Sequence, residues 1–271
     1  MTVGDETGQS ARDGGQSAPR RDLTYFLLGP ALLCFAIAAL YHFTPWPTPV
    51  AAQAANFAWV VTGGYLAVGA LGAALSSQVG TPSAPDIRDQ RAWLQIILWS
   101  LAAGVASGAV DIAIGDLTPW GAQIEAIDRS QGYTWANVAL PWSIPHYFHA
   151  SVLSECAFRL AAVVIPAWLI GRLLLKGRFE AAVFWSFGVL AAFIEPLEKA
   201  IMLRRLPFVD LPPLDLTVSI EGVAAQILYA FMLRRFGWPA PILMRFGYYL
   251  LVRVFTPYLY PPASEIFPGP H

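Results

Sequence analysis

The sequence predicts an all-α protein, a polytopic bundle of about seven transmembrane helices. Hydrophobic residues make up 56% of the 271 residues and charged residues only 13%, and the mean hydropathy is +0.51. A soluble domain carries about a quarter charged residues, which cover its surface. Apolar runs of about 20 residues, the length that crosses a bilayer as a helix, recur along the chain. These observations exclude a soluble fold.

The first residues differ in composition from the rest of the chain. Residues 1–22 are rich in Gly, Ser, Gln, Asp and Arg and have little to bury, which predicts a disordered cytoplasmic tail. Residues 23–271 form the predicted transmembrane helical domain. Its spans are predicted at residues 23–43, 55–76, 92–114, 144–175, 181–203, 216–233 and 240–255. Pro196 lies in the middle of the fifth span, where it should kink the helix.

The basic residues predict the orientation of the bundle. One side of the membrane receives most of those near the span ends: Arg12, Arg20, Arg21, Arg88, Arg91, Arg172, Lys176, Arg178, Arg234 and Arg235. The other side receives chiefly Arg129, Arg204 and Arg205. Cytoplasmic loops carry the excess of positive charge, so the N-terminus is expected in the cytoplasm and the C-terminus outside. The expected location is a cell membrane, the bacterial inner membrane, crossed several times.

Two other features bear on contacts. Gly104 and Gly108 lie four residues apart in the third span, a spacing that lets helices approach closely and that we interpret as packing inside the bundle. Residues 116–143 carry several aromatic residues typical of the membrane interface. This segment is the best candidate for an external contact surface, and a loop lying on the membrane is the alternative.

The charge balance and the cysteines exclude other classes of protein. The net charge is −1, whereas a nucleic-acid-binding protein needs a basic face. Cys34 and Cys156 both lie inside apolar runs, which is typical of buried small residues and not of a disulfide framework or zinc cluster. We expect membrane lipids as partners, with other membrane proteins as further ones, and no metal. The sequence indicates no particular cofactor.

Ionisable residues inside the apolar spans are the candidate functional residues. A charge at the bilayer centre costs about 2.5–3.5 kcal/mol, so such groups usually pair and face the bundle interior. Glu155 precedes Arg159 by four residues, which places both on one helix face. Glu195 and Lys199 repeat that spacing on the next span. We predict that both pairs and Arg245 of the last span converge into one polar core. Further candidates for this core are Asp111, Glu198, Glu221, Tyr249 and His146.

Two interpretations of this core remain open. Buried ion pairs often serve only to neutralise each other and to specify helix register. Intramembrane ionisable groups are nevertheless functional candidates by default. His146 and His149, at the start of the fourth span, are three residues apart and can share a face. A metal site needs a third ligand, so we interpret them as interfacial histidines and not as metal or haem ligands.

The stretch Ser154-Glu-Cys-Ala-Phe-Arg159 resembles the first motif of the CPBP family, the CAAX-processing and bacteriocin-immunity (abortive-infection) intramembrane proteases. That motif consists of two glutamates, three residues and an arginine, often preceded by phenylalanine as here. Residues 186–195 and 222–249 are similar, more weakly, to the later motif regions of the family. The resemblance covers about the C-terminal half of the chain and implies the fold of that family.

This sequence departs from the family pattern at the catalytic positions. Ser154 stands where the first glutamate, the family's water-activating base, is expected. A residue near Glu195 stands where the histidine of the second motif is expected. The third-motif histidine falls on Arg245, and Tyr249 stands where asparagine is usual. A serine facing an arginine cannot activate water as a glutamate–histidine pair does. The resemblance therefore implies a lost or rebuilt hydrolytic apparatus.

Three functions remain as hypotheses. The first is a non-catalytic scaffold or partner-binding membrane subunit. The second is an active intramembrane endopeptidase with a rebuilt site, in which Glu155 or Glu195 is the base and His149 assists. The third is a lipid- or pigment-binding membrane protein. Carboxylates near a histidine around a water-accessible cavity favour the enzyme, whereas carboxylates bound by Arg159, Lys199 or Arg245 favour the scaffold.

Overall fold

The computed structural model describes residues 9–43, 49–117, 140–197 and 214–256. In these ranges the chain is helical and contains no β-strand. The α-helices are α1 Gln9–Phe26, α2 Leu32–Phe43, α3 Pro49–Ser76, α4 Gln90–Leu117, α5 Ser143–Glu155, α6 Ile165–Ala167, α7 Glu180–Ala192, α8 Leu214–Phe236 and α9 Pro239–Tyr249. Segments of π-helix continue several of them, so that α1 and α2 form one rod and α5 and α6 another.

Five helical stretches in the described ranges are long and apolar enough to cross a membrane. They are Ala18–Leu40, Trp59–Val79, Gln90–Ile114, Ser143–Leu174 and Glu180–Leu197. They overlap the first five predicted spans, and the multi-pass membrane class is confirmed. Large apolar side chains on these helices face outwards, among them Val60 with 83% of its surface exposed. In lipid such side chains meet hydrocarbon, so their exposure carries no penalty.

Helix α9 lies in the centre of the bundle. Seven of its eleven residues are buried, including Ala240, Met244 and Arg245, and its most extensive contact is with α4. It also packs against α5 and α8. Its position among α4, α5 and α8 places Arg245 inside the bundle, away from the lipid.

Prolines account for irregular turns in both rods and at the end of α7. Pro30 lies in the π-helical turn Leu27–Ala31, and Pro166 lies between the π-helical segments Cys156–Val164 and Trp168–Leu174. Because proline lacks an N–H and its ring meets the carbonyl four residues earlier, the helix must widen or break. Helix α7 ends at Ala192, four residues before Pro196, at the position where the predicted kink is expected.

The chain is already helical from Gln9, within the segment predicted as a disordered tail of residues 1–22. Contacts with the loop after α3 explain the ordered end of this segment. Asp22 is fully buried and accepts a hydrogen bond from the Ala84 backbone N–H at 2.7 Å. Tyr25 accepts one from the Ile87 N–H at 3.1 Å. These partners lie 62 residues away in sequence, so the polar composition of the tail did not indicate them.

Candidate functional site

The structure brings four predicted charged residues together in the bundle centre. Glu155 ends α5, Arg159 lies one turn further along the same rod, Glu195 follows α7, and Arg245 lies in the middle of α9. Glu155 and Arg159 have no exposed surface, and Arg245 is buried. With Gln226 of α8, which contacts two of them, they form the group that we call the polar core.

Arg245 joins the two carboxylates of the polar core. Its Nε donates a hydrogen bond to Glu155 Oε1 at 2.5 Å, and both terminal nitrogens lie 3.3 Å from Glu195 Oε2. Arg159 forms the predicted ion pair with Glu155, with 3.7 Å between Nε and Oε2. That distance exceeds an ordinary hydrogen bond, so Arg245 is the closer partner of Glu155.

Gln226 closes the polar core into a ring. Arg159 donates to the Gln226 backbone carbonyl at 2.9 Å and to its side-chain oxygen. The Gln226 amide nitrogen in turn donates to Glu195. Gln226 was not among the predicted residues of this core. Its signal in the sequence is an amide inside an apolar span, because such groups form interhelical hydrogen bonds. The ring links α5, α7, α8 and α9 through side chains.

Aromatic rings cover the two guanidinium groups. The Tyr229 ring centroid lies 4.7 Å from the Arg245 Cζ atom and 5.4 Å from that of Arg159. The Phe158 ring lies 5.7 Å from Arg245. The faces of aromatic rings attract cations, more strongly where water is excluded. The desolvated guanidinium groups therefore have partners beyond the carboxylates.

The charges of the polar core cancel. Among the residues described, Glu155 and Glu195 supply two negative charges, and Arg159 and Arg245 supply two positive charges. A buried charge persists only when it is paired and hydrogen-bonded. A general base, in contrast, must reach the proton that it abstracts. Glu155 has no exposed surface, so its geometry is that of an ion pair and not of a base facing a substrate.

Both histidines have contacts with residues outside the polar core. His149 is buried, and its Nε2 lies 2.9 Å from Thr62 Oγ1 of α3. His146 stacks edge-on against the neighbouring Tyr147, with 5.0 Å between ring centroids. In the residues that the structure describes, no three His, Cys, Asp or Glu side chains are grouped so that they could hold a metal ion.

A polar cavity of about 180 Å³ adjoins the polar core. Glu195 and Arg245 face it from the core, and the predicted residues Asp111, Glu221 and Tyr249 line it as well. Tyr248 donates a hydrogen bond to Asp111 Oδ2 at 2.6 Å. The structure thus brings together most of the predicted polar residues. Glu198, Lys199 and most of the 116–143 segment lie outside the described residues.

Two apolar grooves lie on the lipid-facing surface. One, of about 660 Å³, is lined by Leu28, Trp93 and Ile242 among others, and membrane hydrocarbon suffices to fill a surface of this kind. The other, of about 560 Å³, lies between α4 and α8 and shares lining residues with the polar cavity. Only the second groove joins apolar and charged surfaces.

Comparison with protein-family models, curated proteins and solved structures finds no match for this chain. The resemblance of residues 154–159 to the first CPBP motif therefore stays a prediction. The function has to be argued from the geometry of the polar core and of the cavities beside it.

Proposed function

We propose that this protein is a non-catalytic relative of the CPBP intramembrane proteases, a seven-span membrane scaffold or partner-binding subunit. One observation carries the proposal. Both carboxylates that could act as a base, Glu155 and Glu195, are bound by Arg245. Carboxylates that are bound by arginine favour the scaffold over the enzyme, as stated in the sequence analysis.

The chemistry of arginine supports this choice. A neutral histidine has one nitrogen that accepts a proton, whereas a guanidinium group has five donors and no acceptor. Arg245 stands where the family resemblance places a histidine, and it donates to both carboxylates. It therefore holds the carboxylates in place and cannot relay a proton. In this proposal the polar core specifies how α5, α7, α8 and α9 pack, which is the best-attested role of buried polar groups.

Helix lengths support seven spans. Helix α8 has 23 residues, which corresponds to about 34 Å. Helix α9 and the π-helical segment Leu250–Phe255 together cover residues 239–255, or about 25 Å. Both lengths are close to the hydrocarbon thickness of about 30 Å. With the positive-inside rule, an odd number of spans puts the N-terminus in the cytoplasm and the C-terminus outside.

Cysteine labelling tests this topology. Cys34 and Cys156 are buried and free, so a variant with both replaced by alanine provides the background. In that background, Asp86→Cys and Arg235→Cys should react with a membrane-impermeant maleimide only from the cytoplasmic side. Leu140→Cys and His271→Cys should react only from outside. Labelling of residues 86 and 271 from the same side would contradict an odd number of spans.

A proteolysis assay tests the absence of catalysis. We expect the wild type, reconstituted in vesicles with prenylated and single-span substrates, to release no product, because Arg245 donates to both carboxylates and has no atom that accepts a proton. An active CPBP protease in the same vesicles is the positive control. Cleavage by the wild type that is lost in Glu155→Gln or Glu195→Gln, but kept in the exposed control Asp86→Asn, would establish a rebuilt glutamate-dependent peptidase instead.

A further inference from the structure

The groove between α4 and α8 is an apolar surface that leads to a charged interior. Small and branched apolar side chains line it, including Ala103, Ala106, Val110 and Ala224. Val110 has 51% of its surface exposed, so the groove opens towards the surrounding lipid. Ser107, Glu221 and Ala225 line both this groove and the polar cavity. The groove and the polar cavity are therefore adjacent, with these three residues between them.

The length of the groove fits one leaflet of a bilayer. Its lining on α4 runs from Ala103 to Ile114, and the eleven steps between these two residues correspond to about 16 Å of helix. Half of the hydrocarbon core measures about 15 Å. Ile114 lies three residues before the end of α4, and Glu221 is the eighth residue of α8, so the charged part of the groove lies in the half of the bundle that is nearer to the headgroups on that side.

The polar cavity offers both signs of charge to a headgroup. Asp111 and Glu221 supply carboxylates, and Arg253 supplies a guanidinium group. Carboxylates attract an ammonium group, arginine binds phosphate, and Tyr248 and Tyr249 also line the cavity. The cavity volume of about 180 Å³ is large enough for several water molecules, so a small headgroup fits.

We propose that this composite site binds an aminophospholipid. Its ammonium group lies towards Asp111 and Glu221, its phosphate lies towards Arg253, and one acyl chain lies in the groove. A phospholipid without an amine lacks this additional attraction to the carboxylates and binds more weakly. In the proposed seven-span arrangement this lipid lies in the leaflet opposite to the N-terminus. That location depends on the proposed function, whereas the choice of headgroup depends only on the residues of the cavity.

Native mass spectrometry of the full chain in detergent tests the lipid site. Phosphatidylethanolamine and phosphatidylglycerol with identical acyl chains are titrated against the wild type. We expect phosphatidylethanolamine to bind about tenfold more tightly, the ratio that one charge-assisted contact of about 1.4 kcal/mol provides. Glu221→Gln and Asp111→Asn should each remove most of this preference. Equal affinity for the two lipids, or no lipid retained by the wild type, would overturn the proposal.

Tryptophan substitutions test the groove separately. Ala106→Trp and Ala224→Trp fill it from its two walls and should reduce binding of phosphatidylethanolamine at least about tenfold. Ala182→Trp, on the lipid-exposed side of α7, is the matched control and should bind as the wild type does. Circular dichroism and gel filtration identify any variant that has not folded. Wild-type binding by folded variants at both groove positions would overturn the proposal, whatever the outcome of the proteolysis assay.

Discussion

Replacing Arg245 by methionine is expected to lower the free energy of unfolding by about 3–5 kcal/mol. The substitution removes the group that hydrogen-bonds Glu155 and contacts Glu195, and it leaves one negative charge in excess in the polar core. Among the residues that the structure describes, Glu155 then keeps the longer ion pair with Arg159. Methionine fills a similar volume, so the loss reports on charge and hydrogen bonding more than on packing. Titration with sodium dodecyl sulfate in mixed micelles measures the stability.

Neutralising a carboxylate should recover part of this loss. In Arg245→Met/Glu195→Gln, Glu155 and Arg159 again balance each other, and the introduced amide keeps hydrogen-bonding groups beside Gln226. We expect the double variant to be more stable than Arg245→Met alone, by about 1–2 kcal/mol. Arg88→Met, at an exposed position, should unfold at the same sodium dodecyl sulfate concentration as the wild type. If adding Glu195→Gln to Arg245→Met lowers stability further, excess charge is not the cause of the loss.

The parts of the fold that depend on local sequence could be predicted. The five apolar spans follow from hydropathy, because each helix in lipid satisfies its own backbone hydrogen bonds and needs only apolar side chains. The ion pair of Glu155 and Arg159 follows from four-residue spacing on one helix. Neither prediction requires knowledge of how the helices are arranged.

The parts that depend on neighbouring helices could be predicted only in outline. That Glu195 joins the polar core was expected, but its predicted partner, Lys199, is its own helical neighbour. The structure adds Arg245 and Gln226, which contact Glu195 from other helices, and Lys199 lies outside the described residues. Contacts between helices depend on helix rotation and depth, which spacing along one helix does not define. Asp22, whose partner lies on a distant loop, was missed for the same reason.

The contact of α4 with α9 positions Arg245, and Gly104 makes this contact possible. A Cβ atom at Gly104 would overlap the Met244 carbonyl oxygen and lie 2.8 Å from the Tyr248 backbone nitrogen. On the facing helix, a Cβ at Gly247 would lie 2.9 Å from the Leu101 carbonyl oxygen. These are backbone atoms, so a change of rotamer cannot relieve the overlap. Small residues at such positions are what allows helix backbones to pack closely in lipid.

Gly104→Ala is therefore expected to destabilise the protein by about 2–3 kcal/mol, the upper range for overpacking of a well-packed interior. Gly64→Ala is the matched control, because nothing lies within 4 Å of a Cβ at Gly64. Alanine is a better helix former than glycine by about 1 kcal/mol, so this control should be as stable as the wild type or more stable. Titration with sodium dodecyl sulfate compares the two variants.

The same substitution also links helix packing to the polar core. Met244 precedes Arg245, so moving α9 away from α4 also shifts the guanidinium group that holds Glu155 and Glu195. The effects of two substitutions on stability add when the sites are independent, but not when the sites are in contact. Gly104→Ala combined with Arg245→Met should therefore lower stability by less than the sum of the single changes. Full additivity would mean that close packing and the ion pairs stabilise the bundle independently, and that α4 does not position Arg245.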